Sequence, residues 1–112
     1  MRAVRELERA TALVELKHAE VAREEIAAEL ERVERRLIEI AEGAGPPPPG
    51  TVTSAGALAA GSRRHALDRD QIDRLEADRS EIITRLGEAG VAVDRSREGV
   101  VVATRALRAL GL

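Results

Sequence analysis

The residues best suited to bind a metal in this sequence are His18 and His65, its only histidines. A protein metal site needs such ligands close together, with carboxylates beside them. The two histidines lie far apart along the chain, and His65 follows Arg63 and Arg64, whose positive charges repel cations. We therefore interpret both as solvated surface side chains and expect no metal and no other cofactor.

The other polar residues do not follow a pattern typical of an enzyme. A serine nucleophile needs an oriented base and an oxyanion hole, and neither is evident near the serines. Adjacent carboxylates such as Glu24 and Glu25 take part in catalysis only inside a pocket that shifts their pKa values. The segment GAGPPPPG lacks the Lys-Ser/Thr pair of a phosphate-binding loop, and its prolines have no amide donors. We expect no catalytic residue.

The composition indicates long paired helices rather than a compact core. Hydrophobic residues make up 44% of the chain but aromatic residues 0%, although aromatic side chains usually fill much of a globular core. The net charge is −2 with both signs interleaved, so no broad basic face suggests a nucleic acid partner. No apolar run approaches the ~20 residues of a membrane span. We expect a cytoplasmic protein with no membrane insertion.

Residues 2–42 are predicted to form a first helix, because they contain neither glycine nor proline and are rich in helix-forming residues. A heptad seam occupies the second half of this helix, at Ile26, Leu30, Val33, Leu37 and Ile40. The first half has a different apolar phase, at Ala3, Leu7, Ala10, Val14 and Val21. We interpret the mismatch as a stutter, or a change of partner face, between Val14 and Ile26.

Residues 43–64 are predicted to be a flexible connector. Gly43 is typical of the residue that follows a helix, because glycine adopts the left-handed conformation at little cost. The prolines at 46–49 favour a short polyproline stretch, which we interpret as a stiff turn. A docking ligand for an aromatic-lined groove is the alternative. The small residues at 55–60 also suit a helical turn.

Residues 65–110 are predicted to form a second helix with one unbroken heptad. Its a and d positions are Ile72, Leu75, Arg79, Ile82, Leu86, Ala89, Val93, Ser96, Val100, Ala103, Leu107 and Leu110. Gly87 and Gly90 lie off this seam, and each costs roughly 1 kcal/mol relative to alanine. The helix is therefore expected to kink or split there, if anywhere.

The predicted fold class is all-α, a long antiparallel two-helix coiled-coil hairpin formed by a single domain over residues 1–112. The segment 100–112 has more apolar side chains than one seam can cover. Exposed apolar surface of this kind usually marks a partner site. The predicted partner-binding residues, where the two termini meet, are Arg2, Arg5, Val101, Val102, Arg105, Arg108 and Ala109.

Three features resemble the flagellar FliJ family, the coiled-coil stalk of the type III export ATPase. They are the helix RAVRELERATALVELKHAEVAREEIAAELERVE, the middle of small residues, and the ending VDRSREGVVVATRALRALGL. The positions that resemble the family ending are Arg97, Val101, Ala103, Arg105, Leu107 and Leu110. The chain departs from the family in its tetraproline and in Gly111, where an acidic residue is usual.

The resemblance implies a stalk whose tip of paired termini enters an ATPase ring, and whose other faces contact an export gate or export chaperones. It also implies a place at the periphery of a membrane-embedded export apparatus. The alternative is a self-associating structural protein, in which two hairpins form a four-helix bundle. Val101, Val102 and Ala109 would then form the homodimer interface.

Overall fold

The computed structural model describes residues 1–43 and 55–111, with side chains described for 1–43 and 66–111. The described chain consists of two helices, α1 (Arg2–Gly43) and α2 (Ala55–Arg108), and its described residues include no strand. The helices form a helical hairpin, which confirms the predicted all-α fold class. The predicted proline turn at 46–49 lies outside the described residues.

The helix bounds differ from the predicted ones at the connector. Gly43 is the last residue of α1, and among the described residues only Gly111 has a positive φ, so Gly43 is not a left-handed cap. α2 begins at Ala55, well before the predicted start at residue 65. The alanines and the leucine over residues 55–60 have the highest helix propensities, and they offset the penalty of roughly 1 kcal/mol for the single glycine among them, Gly56.

The predicted heptad of α2 matches the observed burial closely. All but one of its a and d residues are buried or half-buried, and Val93 is fully buried. The exception is Leu110, which is exposed because the helix ends at Arg108. Gly111 then adopts φ +89°, the left-handed conformation that glycine favours after a helix.

Gly87 and Gly90 do not split α2, which runs as one helix from Ala55 to Arg108. A Cβ atom built at either glycine would have no neighbouring atom within 4 Å. Neither glycine is therefore needed for a close approach of another element, and the helix tolerates the lower propensity because the seam on its other face is continuous.

The chain divides into two compact units, which we describe separately. The loop unit comprises Glu29–Ile82, and the terminal unit comprises Met1–Ala28 with Ile83–Leu112. In the loop unit the predicted seam residues of both helices are half-buried or buried, most completely Ile40 and Ile82. An ion pair between Arg35 and Glu31, at 3.2 Å, lies on the exposed face of α1, where such pairs contribute little stability.

In the terminal unit the two helices run antiparallel. The Arg9 Nε donates a hydrogen bond of 3.2 Å to the Thr104 Oγ1, near the two chain ends. Further along α1, Arg23 lines a shallow groove together with Arg97 of α2. Residue numbers therefore fall along α2 as they rise along α1, as a hairpin requires.

The predicted change of phase in the first half of α1 is wrong. Ala12, Leu16 and Ala19 are half-buried there, and their spacing continues the heptad of Ile26 and Leu30 without a break. The residues predicted to form the seam are all exposed, namely Ala3, Leu7, Ala10, Val14 and Val21. α1 therefore keeps one face toward α2, and two arginines, Arg9 and Arg23, stand at exposed seam positions in place of apolar residues.

We predict that Gly87→Ala stabilises the protein. The added methyl group meets no neighbouring atom, and alanine has a higher helix propensity, so the free energy of unfolding should rise by about 1 kcal/mol. Urea unfolding followed by circular dichroism measures this change. A lower free energy of unfolding in the variant would show instead that α2 depends on a glycine at this position.

Candidate functional site

An open groove of about 480 Å³ runs along one side of the terminal unit, where α1 and α2 meet. Its floor contains four small residues, Ala12, Gly99, Ala103 and Ala106. Small side chains at the junction of two helices leave space beside the seam that larger residues would fill. The groove therefore results from the choice of alanine and glycine at positions with helical spacing on α2.

The rim of this groove is charged but balanced. Arg5 and Glu8 of α1 form an ion pair of 3.0 Å, and Arg95 and Glu98 of α2 stand on the other side. Val102 is the largest apolar side chain of the lining. The lining contains no histidine, serine or threonine. This arrangement offers an apolar strip between two mixed-charge edges, which suits a protein surface better than a small charged ligand.

The residues predicted to bind a partner all lie in the terminal unit, and most of them are exposed. Arg2 forms an ion pair of 3.1 Å with Glu6, and Arg5 is half-buried beside Glu8. The C-terminal members of the predicted set are all exposed, namely Val101, Val102, Arg105 and Arg108 of α2 and Ala109 just after it. Their exposure agrees with the predicted excess of apolar surface, and their role in partner binding stays a prediction.

The structure distributes this predicted set over more than one face. Arg5 and Val102 line the same groove. Val101 precedes Val102 by one residue and is therefore turned about 100° around the helix axis, toward the other flank of α2. Arg108 follows Val101 by two helical turns and shares that flank. The predicted single surface is thus a groove with Val102 and a separate flank with Val101.

The residues predicted to form the seam in the first half of α1 form a second exposed apolar surface instead. Ala3, Leu7, Ala10, Val14 and Val21 lie on the outside of α1, facing away from α2, and with Lys17 we call them the outer stripe. Leu7 is 67% exposed and Val14 is 54% exposed. Leu7 and Val14 each lie two residues after a half-buried seam residue, Arg5 and Ala12 respectively, and are therefore turned about 200° around the helix axis from it.

The outer stripe has its own heptad spacing of alternating four and three residues over three heptads. Val4 and Leu13, on its two flanks, are exposed as well. The signal for this surface was present in the sequence, since the same spacing led to the prediction of a seam. Local spacing did not reveal that the heptad of Ile26 continues through Ala19, so that this second set of residues faces α2.

Other kinds of site find no support in the part of the chain that the structure describes. No three metal-ligating side chains gather there into a group that could hold a metal ion. No helix among the described residues is long and apolar enough to cross a membrane. A second, smaller groove of about 290 Å³ lies between charged residues, chiefly Glu20, Glu24 and Arg97.

We predict that the same substitution at two adjacent residues of α2 changes the stability of the hairpin very differently. Val102→Asp should change the free energy of unfolding by less than about 1 kcal/mol, because Val102 is 59% exposed. Ala103→Asp should lower it by about 3 kcal/mol or more, because Ala103 is 9% exposed and an aspartate there would be buried without a partner. Chemical unfolding of both variants tests this, and equal losses would contradict the assigned seam.

Comparison with known proteins does not identify this surface. The chain matches no family model, no curated protein and no solved structure. The resemblance to the FliJ family therefore depends on the quoted segments alone. The function has to be argued from the surfaces of the terminal unit.

Proposed function

We propose that this chain is a non-enzymatic coiled-coil interaction protein that binds other proteins through its terminal unit. One observation carries the proposal: large apolar side chains stand on the outer faces of both helices there. Leu7 and Val14 project from α1, and Val101 and Val102 project from α2. Large apolar side chains left exposed in a row, as along α1, usually mark a site of protein contact.

The inner seam of the terminal unit strengthens this argument. Arg9 and Arg23 occupy seam positions of α1, where apolar residues would contribute more to the hairpin. Leu7 and Val14, which could have filled such positions, are outside. The unit therefore gives up part of its internal apolar packing while it presents apolar side chains outward. Selection for hairpin stability alone would favour the reverse arrangement.

The specific role that we propose is that of a stalk resembling the one in the type III export ATPase. In this role the paired helix ends enter the ATPase ring, and other faces contact the export gate and export chaperones. The support consists of the hairpin fold, the sequence resemblance, and the exposed cations Arg2, Arg105 and Arg108 near the ends. The proposed location is the cytoplasmic periphery of the export apparatus.

A second candidate function is self-association of hairpins as a structural protein. The outer stripe favours this candidate, because its heptad spacing over three heptads is the pattern that pairs one helix with another. The interface first expected for such a dimer, at Val101, Val102 and Ala109, lacks an equally long pattern. The stalk and the self-associating protein therefore use different surfaces, which substitutions can separate.

We expect the 112-residue chain to co-purify with a type III export ATPase, and Val102→Asp to reduce the recovered ATPase several-fold. The substitution places a charge in the apolar strip of the groove and should leave the hairpin folded. Val91→Asp is the matched control, since Val91 is an exposed valine of the same helix, away from the groove.

Two outcomes would count against the stalk. Failure of the wild-type chain to retain the ATPase would contradict the stalk role itself. Equal recovery with Val102→Asp and the wild type would contradict the placing of the contact at this groove. A substitution is preferable to truncation after Arg97, because truncation would also remove the seam residues Val100 and Ala103.

A further inference from the structure

We propose that the outer stripe of α1 binds a second copy of this chain, with the two α1 helices antiparallel. The inference goes beyond the proposed stalk, because it assigns an occupant to a surface that the stalk contact at the groove does not use. It deepens the second candidate function by giving the direction, register and charge contact of the pairing. Loss of ATPase binding would leave it unaffected. It depends on three properties of the stripe, which are its spacing, its alternation of size and its one charge.

The spacing suits a helical partner. The stripe residues recur at alternating intervals of four and three on the exposed face of a continuous helix. A second helix with the same spacing can place its side chains between them, as in any two-stranded coiled coil. The residues of the stripe all lie within the terminal unit, on the face of α1 turned away from α2.

The alternation of size makes the stripe complementary to itself. One of its two rows is large (Leu7, Val14 and Val21), and the other is small or narrow (Ala3, Ala10 and the stem of Lys17). Antiparallel pairing about a two-fold axis brings each row opposite the other. The resulting layers place Val14 opposite Ala10, Leu7 opposite Lys17, and Val21 opposite Ala3 of the second copy. The layers of Val14 with Ala10 and of Val21 with Ala3 then combine one larger and one smaller side chain, which fills space evenly. The layer of Leu7 with Lys17 depends instead on contact between the leucine and the aliphatic stem of the lysine.

The charge of Lys17 selects the antiparallel arrangement. Parallel pairing in register would place the two Lys17 ammonium groups side by side, and alanine opposite alanine. Antiparallel pairing instead places Lys17 beside Glu6 and Leu7 of the second copy. Among the described residues Lys17 has no ion-pair partner, so this contact gives it one. Its aliphatic stem can cover Leu7 while its amine reaches the Glu6 carboxylate.

The flanks of the stripe also tolerate this pairing. Leu13 lies close to the two-fold axis on one flank, where it meets Leu13 of the second copy, and Thr11 does the same on the other flank. Neither contact opposes like charges. The pairing also brings Glu6 near Glu20 of the second copy, and Lys17 lies beside both carboxylates and offsets their repulsion. An interface of three heptads is short, so we expect reversible pairing with half of the chains dimeric at roughly 10–100 µM.

Sedimentation analysis of the 112-residue chain at concentrations from about 5 to about 500 µM tests the proposal. The wild type should shift from monomer to dimer over this range, and Val14→Glu should stay monomeric, because it places a carboxylate against an alanine in the middle layer. Val91→Glu is the matched control: Val91 is 50% exposed against 54% for Val14, and it lies on the outside of α2. This control should dimerise like the wild type.

A charge exchange tests the contact between Lys17 and Glu6. Lys17→Glu should weaken dimerisation at least tenfold, and the double variant Glu6→Lys, Lys17→Glu should regain most of the loss. Circular dichroism should show equal helix content in all variants. A wild type that is monomeric at 500 µM would overturn the proposal. Dimerisation lost with Val91→Glu but kept with Val14→Glu would overturn it as well, because the interface would then lie on α2.

Single cysteines test the antiparallel direction, since the chain has no cysteine of its own. A short bis-maleimide should cross-link Leu13→Cys dimers, because that position lies near the two-fold axis. It should not cross-link Val4→Cys dimers, where the two thiols would be about 24 Å apart along the helices at 1.5 Å per residue. Both positions are exposed. Equal cross-linking at both positions would contradict the proposed antiparallel arrangement.

Discussion

The terminal unit depends on one constraint: α2 offers α1 a single uninterrupted seam, and α1 presents one face to it throughout the unit. α1 has no glycine or proline before Gly43, so nothing in its first half interrupts the heptad set by Ile26 and the residues beyond. Because α1 has no stutter there, the seam with 3.5-residue periodicity extends toward the N-terminus through polar as well as apolar residues. It meets Ala12, Leu16 and Ala19, which it half-buries, and the arginines at positions 9 and 23, which it leaves exposed.

This constraint explains why the terminal unit is apolar on the outside. Full burial of a leucine or valine side chain stabilises a fold by roughly 1.5–3 kcal/mol, and Leu7 and Val14 contribute little of this within the chain. On α2 the seam residue Ala103 has a small side chain, so the groove beside Val102 stays open. Both helices thus leave apolar side chains exposed in the terminal unit. A partner that binds this surface would stabilise the hairpin by mass action.

The sequence was sufficient to predict the helical hairpin and the buried face of α2, since the predicted heptad positions from Ile72 to Leu107 are all buried or half-buried. Only one apolar phase runs through that helix, so spacing alone identifies the buried face. α1 was harder because two apolar phases overlap in its first half, one through Leu16 and one through Val14. Counting apolar residues favours the wrong phase. Only continuity with the stronger seam beyond Ile26 decides between them, and that is a property of the whole helix rather than of a local window.

The location of the two apolar surfaces determines which proposals are compatible. The groove with Val102 lies beside the junction of the helices, whereas the outer stripe with Val14 faces away from α2. A second hairpin on the outer stripe would leave the groove of each copy uncovered. Reversible pairing in the micromolar range is therefore consistent with a stalk that works as a single hairpin once bound to a ring. A nanomolar dimer would not be, because each hairpin would reach the ring with its second copy still attached, and the self-associating structural protein would then be the better account.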